Sequence, residues 1–192
     1  MPKLAVVEIG DLPAGLLDEI TPGVGRILGL DPGPRSRLDP AFAYDERRRQ
    51  YLAAALLGRL REFTPDDTLV VGAAAVDLFI PILTFVFGEA EMPGRAAVFS
   101  IHRLHEEFYG LPPDHSLLAA RAAKEMLHEL GHTFGLAHCP DYACAMSSSP
   151  SVEAVDLKGN ALCNGCLRLR AGGASALCRV PPKEVWPPFP KG

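Results

Sequence analysis

The stretch His128–Cys139, HELGHTFGLAHC, constrains this chain more than any other part of it. His128 and His132 are four positions apart, about 400° of helical rotation, so on a helix both rings leave one face a turn apart. That separation lets two imidazoles reach one metal ion. Were the helix to continue, His138 would lie about 9 Å further along the axis and about 240° round, on the wrong side. Gly135, midway between His132 and His138, can take a positive φ and turn the chain back. A helix should therefore end at this glycine and a returning loop should bring His138 to the other two. Three neutral imidazoles with an open fourth position are the ligand set of a catalytic zinc. Glu129 lies near that metal but round the helix from it, where it can take a proton from a bound water. The remaining histidines His102, His105 and His115 read as ordinary core or surface residues.

The five cysteines, Cys139, Cys144, Cys163, Cys166 and Cys178, all fall in the last third of the chain. The opening MPKLAVVEIGDLPAG has no cationic segment followed by a sustained apolar one, so the expected compartment is the cytoplasm, where thiols stay reduced. An odd, clustered set in that compartment favours metal ligation over disulfides. Cys139 and Cys144 flank a tight turn and CNGC supplies the knuckle Cys163–Cys166; together they make the closed four-thiolate set of a structural zinc. A redox C-x-x-C or buried free thiols are the alternatives, and the first fits poorly after LKGNAL. Cys178 is left without a partner and is expected to be a free thiol.

The patterning predicts an α/β lobe followed by a small irregular one, with a boundary near Gly135 dividing residues 1–135 from 136–192 of a single catalytic domain. With 192 residues and 48% hydrophobic content the chain can bury a sizeable core. Strands are expected over Lys3–Ile9, Val24–Leu30, Thr68–Ala74, Thr84–Ala90 and Ala96–Leu104. Helices are expected over Asp11–Ile20, Tyr44–Phe63 and about Ser116–Phe134, the last capped by Asp114 or Ser116, with a short one near Leu167. DPGPRSRLDP (Asp31–Pro40) reads as a loop, and RVPPKEVWPPFPKG as an extended surface tail. The turn EMPG (Glu91–Gly94) is short enough to pair its flanking strands antiparallel. Val70–Gly88 is broken by Asp77 and Pro81, so buried strands are expected rather than a membrane span. A formal net charge of −4 gives no electrostatic footprint of a nucleic-acid binder.

His128-Glu129-x-x-His132-x-x-Gly135-x-x-His138 followed by Met146 resembles the metzincin metallopeptidases. With Cys139, Cys144 and the C-x-x-C of Cys163 and Cys166, the pattern is similar to the archaemetzincin family, and DLFIPILTFVFGEAEMPGRAAVFSIHRL is similar to its upstream segment. The resemblance implies a compact α/β (α+β) metzincin-like fold: a twisted mixed sheet with an antiparallel edge strand, backing and active-site helices, and a zinc-stapled C-terminal lobe. It implies two zinc ions, a catalytic one on His128, His132 and His138 and a structural one on Cys139, Cys144, Cys163 and Cys166. It implies a Met-turn, with Met146 as a hydrophobic floor beneath the catalytic metal. The edge strand that would hold peptide is placed at Thr84, Phe85, Val86, Phe87 and Gly88. Two departures stand out: 16 residues separate Met146 from Cys163, one fewer than the family's usual spacing, and Ser148 stands where some metzincin branches carry a tyrosine. The implied activity is zinc-dependent hydrolysis of short peptides, with aminopeptidase character; the chain is expected to be a monomer with no nucleic-acid and no membrane partner. The alternative is a zinc-stabilised peptide-binding protein with little turnover.

Overall fold

The structure is a computed structural model and describes residues 2–63, 65 and 67–172. Cys178 and the proline-rich tail lie outside the described residues.

Strand β1 (Lys3–Ile9) leads into helix α1 (Leu16–Leu28) and strand β2 (Asp31–Leu38). A hairpin of β3 (Tyr44–Asp45) and β4 (Gln50–Leu52) precedes helix α2 (Ala53–Leu60). Strands β5 (Thr68–Ala74), β6 (Leu78–Phe79), β7 (Gly88–Ala90) and β8 (Ala96–Ser100) follow, then the long helix α3 (His115–Thr133). Two short helices, α4 (Val152–Leu157) and α5 (Asn164–Gly172), sit among the loops of the C-terminal lobe.

The main sheet runs β2-β1-β5-β8-β7; its first four strands are parallel, and β7 pairs antiparallel with β8 at the edge. The central strands are near-continuous apolar runs because both faces are covered. Leu4 and Val6, Leu69 and Val71, and Ala97 and Phe99 face α1, α3 and the C-terminal lobe. Ala5 and Val7, Val70 and Ala74, and Ala96 and Val98 face α2 and the small β3-β4-β6 sheet. The first of these cores continues without a break into Leu136, Met146, Val152 and Val155, so the loop-rich lobe shares the buried interior of the sheet. No helix of the described residues is long and apolar enough to cross a membrane.

The sequence expectations hold for β1, β5 and α3, and the strand expected over Ala96–Leu104 forms as β8 but stops at Ser100, where a 3-10 turn over His102–Leu104 takes over; Asp114 caps α3 by accepting from the Leu117 amide at 2.9 Å. Four others are corrected. The expected break and strand around Val24–Leu30 is one helix, α1: Leu16, Ile20, Val24 and Leu28 recur every fourth residue and all are buried. Pro22 lies inside that helix, exposed, and the helix ends instead at Gly29 with φ 54°. Asp31–Leu38 is an edge strand rather than a loop; prolines are tolerated at a sheet edge, and Gly33 sits where a Cβ would come within 2.6 Å of the Leu4 carbonyl oxygen. The helix expected from Tyr44 begins only at Ala53, because Asp45 closes a turn by accepting from the Arg48 amide.

The edge strand expected at Thr84–Gly88 is β7, Gly88–Ala90. Val86 makes only an isolated bridge to Leu78, and Thr84, Phe85 and Phe87 lie outside the strands. Gln50 donates to the Thr84 carbonyl and the Val86 amide donates to that of Leu78, while the Phe87 carbonyl still accepts from the Ser100 amide, one bond beyond the β7–β8 ladder.

Candidate active site and metal centres

Helix α3 carries His128 and His132 on consecutive turns, with Glu129 beside the first, and ends as the sequence requires. The Gly135 amide donates to the His132 carbonyl and the Leu136 amide to that of Gly131, the paired bonds of a Schellman cap, with Gly135 at φ 79°. The reversal brings the His138 ring centroid to 5.2 Å from that of His128 and 5.1 Å from that of His132. All three offer a ring nitrogen within 4.8 Å of the others.

Two carbonyls settle which nitrogen each helical histidine offers. Nδ1 of His128 lies 2.8 Å from the Ala145 oxygen and Nδ1 of His132 lies 2.7 Å from the Leu136 oxygen. A carbonyl can only accept, so each Nδ1 is the protonated donor and each Nε2 keeps its lone pair. The two Nε2 atoms face each other at 3.1 Å. Neither can donate to the other in this tautomer, so the pair is an unpaired set of acceptors converging on one point. A tetrahedral zinc with bonds of 2.0–2.1 Å separates its nitrogens by roughly 3.3–3.4 Å, so the pair fits such an ion closely. Burial, with the Lys158 ammonium next in effect, pushes His128 well below the ordinary imidazole range, and burial also lowers His132 and His138. The three rings are therefore neutral, as ligands must be.

Met146 is fully buried and its carbonyl accepts from the Cys139 amide at 2.9 Å. Its Sδ lies 2.3 Å from where a Cβ on Gly131 would stand, so the missing side chain of Gly131 makes room for it under α3. Glu129 is 5% exposed and packs against the sheet edge: a Cβ on Gly88 would fall 2.5 Å from both its Cγ and its Oε1. Burial, reinforced by the Glu125 carboxylate, raises Glu129 well above the carboxylate range and makes it a strong proton acceptor once ionised.

Two cavities open beside this cluster. One of about 330 Å³ is bounded by Leu83–Gly88, Glu125, Glu129 and Ser148–Pro150; the other, of about 540 Å³, lies toward Glu89 and Met92. Thr84, Phe85, Val86, Phe87 and Gly88 thus line the cleft although only Gly88 belongs to the edge strand.

The four cysteines Cys139, Cys144, Cys163 and Cys166 gather in a second cluster, with Sγ–Sγ separations of 3.8 Å (Cys139–Cys163) and 3.7 Å (Cys144–Cys166). Four thiolates around a tetrahedral zinc with 2.3 Å bonds stand about 3.8 Å apart. Backbone amides of Asp141, Cys163 and Cys166 point at sulfurs, the donors that a thiolate set requires. Burial and the adjacent thiols push the Cys166 thiol strongly up, so the set needs a cation to ionise together.

Sequence reasoning missed Glu125, Lys158, Ser149 and Gly131. Glu125 had a signal, since it lies one helical turn before Glu129 on the same face. Gly131 had one too, as a glycine inside a helix that propensity disfavours.

Residues 19–170 match the family model described as Peptidase family M54. The archaemetzincin of Methanopyrus kandleri is 43% identical over 171 residues, covering 87% of this chain and 94% of its own. The crystal structure of the Methanopyrus kandleri archaemetzincin superposes with a TM-score of 0.79 at 39% identity, over 90% of this chain and 95% of that one. A zinc-dependent peptidase from Methanocorpusculum labreanum superposes with a TM-score of 0.77 at 30% identity, over 87% and 99% of the two chains. The helix with its two facing imidazoles, the returning third histidine and these likenesses agree, and the chain belongs to peptidase family M54, the archaemetzincin family of zinc metallopeptidases.

Proposed function

We propose that the cleft hydrolyses short peptides, aminopeptidase substrates among them, with Glu129 as the general base and acid. The reading rests on the His128–His132 pair, whose Nε2 lone pairs converge at 3.1 Å beside a buried glutamate at a cleft wall. His128, His132 and His138 would hold one zinc, and Cys139, Cys144, Cys163 and Cys166 a second. When bound, zinc supplies an acidified water and a Lewis acid for the scissile carbonyl. Glu129 takes up the proton that the attacking water loses and hands it to the departing amine. Its carboxylate is held for this by Gly88 on one side and α3 on the other. Leu83–Gly88 line the wall along which an extended peptide would run, and the side of β7 that no strand of the described residues pairs with offers main-chain partners. The Cys cluster follows His138 directly in sequence, so its role is to set the third histidine in place.

The test is Glu129→Gln assayed for zinc by mass spectrometry and for chelator-sensitive cleavage of a peptide library. Unchanged zinc with hydrolysis lost by at least a hundredfold supports the role of Glu129; undiminished hydrolysis refutes it. A wild-type chain that binds peptides and cleaves none would instead be a peptide-binding protein.

A further inference from the structure

The cleft wall over Thr84, Phe85 and Val86 is not built as a strand, so its rigidity has to come largely from side chains. Phe85 makes no backbone hydrogen bond among the described residues and is held through its ring. The centroid of that ring lies 4.2 Å from the guanidinium carbon of Arg103, and the ring of Phe108 lies 4.9 Å from the same carbon. Phe85 also meets Phe87 edge to face at 5.2 Å, and Phe87 belongs to the buried core that α3 covers.

The guanidinium is itself fixed. Arg103 sits in the 3-10 turn after β8, and its Nε and one terminal nitrogen donate at 2.7 Å to the two oxygens of Asp77, a bidentate pair largely shielded from water. Oδ2 of Asp77 also accepts from the buried Gln50 amide at 2.9 Å, and that same nitrogen donates to the Thr84 carbonyl at 2.9 Å. Three segments distant in sequence thus converge on one stretch of wall: β4 through Gln50, the turn after β5 through Asp77, and the end of β8 through Arg103. None of these three side chains lines either cavity of the cleft, so the cluster is placed to support the wall and not to touch what lies on it.

We propose that Arg103, locked by Asp77, is a positioning residue for the substrate: its planar guanidinium stacks on Phe85 and holds that ring as a fixed part of the wall along which the peptide lies. The role acts on binding of the peptide and not on bond cleavage, because Glu129 and the three histidines are held by α3, Gly88 and the Gly135 reversal instead. A lysine keeps the charge beside Asp77 but has neither the flat face nor the two-pronged fork, so it does not replace the arginine. The inference rests on the peptidase reading in one respect only, that a peptide lies along Leu83–Gly88.

The test titrates two probes calorimetrically into the zinc-loaded full-length protein: a tripeptide hydroxamate, and acetohydroxamate, which has the same zinc-binding group without the peptide arm. Arg103→Lys should bind the tripeptide probe about tenfold more weakly, the worth of a shielded cation–π contact, and acetohydroxamate as tightly as wild type. Phe85→Leu keeps the wall apolar but removes the π face; it should give the same pattern, and it carries the test should Arg103→Lys fail to fold. Combined, the two substitutions should cost no more than either alone, since both remove one contact. On a cleaved peptide, Arg103→Lys should raise KM about tenfold with kcat within twofold and zinc content unchanged. Tripeptide binding by Arg103→Lys within twofold of wild type overturns the proposal. So does an equal weakening of both probes, which marks a general disturbance of the cleft, or additive losses in the double variant. A wild-type chain that binds the tripeptide probe no better than acetohydroxamate overturns it too, because no peptide then lies on the wall. A wild-type chain that cleaves nothing yet shows the expected probe pattern refutes the peptidase reading and supports the role of Arg103.

Discussion

Gly88→Ala should disable the cleft while leaving the fold and its metals in place. A Cβ at this position would stand 2.5 Å from Cγ and Oε1 of Glu129 and 2.6 Å from Cδ, whereas ordinary contact begins at 3.4 Å. The glutamate must therefore retreat by 3.4 − 2.5, about 0.9 Å. The contact reaches Cγ, near the root of the side chain, so a swing of the carboxylate alone does not relieve it. Misplacing a catalytic group by about 1 Å costs on the order of a hundredfold in rate, some 2.7 kcal/mol of barrier. Gly88 has no positive φ and is not one of the candidate ligands, and the atoms nearest an added Cβ all belong to Glu129, so zinc content should not change. Alanine in a strand in place of glycine also offsets part of any packing strain, by about 0.5–1 kcal/mol. The assay is kcat and KM on the library peptide that the wild-type chain cleaves fastest, with zinc counted by mass spectrometry and Tm by calorimetry. The expected pattern is kcat down about a hundredfold, KM little changed, and Tm within a few degrees. In a Glu129→Ala background the same substitution should have no further effect on rate, since its target is gone. A Gly88→Ala variant with kcat within twofold of wild type would refute the argument that this glycine positions Glu129.

Three further substitutions test the parts around it. Gly135→Ala places a side chain at φ 79°, so stability should fall by about 1–2 kcal/mol and zinc affinity with it, because the Leu136 carbonyl that orients His132 shifts; thermal unfolding and zinc competition read both. Cys163→Ser should remove one zinc per chain and depress hydrolysis as well, since Cys139 of the same cluster adjoins His138; full activity with one zinc lost would contradict that coupling. Pro22→Ala should raise Tm by several degrees, because it restores a helical N–H on an exposed turn of α1 at a gain of about 1–2 kcal/mol.

What the sequence reveals and what it hides divides along physical lines. The central strands were legible because burial on both faces leaves unbroken apolar runs, as in Thr68–Ala74. The end of α3 was legible because only a glycine reverses a helix so sharply, and the three histidines could be placed from Gly135 alone. Helix α1 was misread because Pro22 and Gly23 are strong local signals; the period of four in Leu16, Ile20, Val24 and Leu28 outweighs them only once a sheet is there to bury it. Strand β2 was hidden for the converse reason, since a sheet edge accepts prolines that a central strand would reject. Around the site, Glu125 and Lys158 meet only after the C-terminal lobe has folded onto α3, and nothing in their spacing announces the pair. Gly131 and Gly88 are defined by atoms they lack, and the need for that space arises from Met146 and Glu129 across the fold.

The two ends of the main sheet are treated in opposite ways, with a consequence for how the molecule tolerates its own kind. At the β2 end, Pro32 and Pro34 withhold two N–H groups, which blunts that border against pairing with a foreign strand. At the other end, β7 is only three residues long and lies against Glu129. A neighbouring copy therefore finds little to zip onto at either border, and a strand that did settle along β7 would lie across Glu129. An open sheet edge is ordinarily an invitation to aggregate; on the function proposed above, the receptive border here is confined to the place where a captured strand would be the substrate.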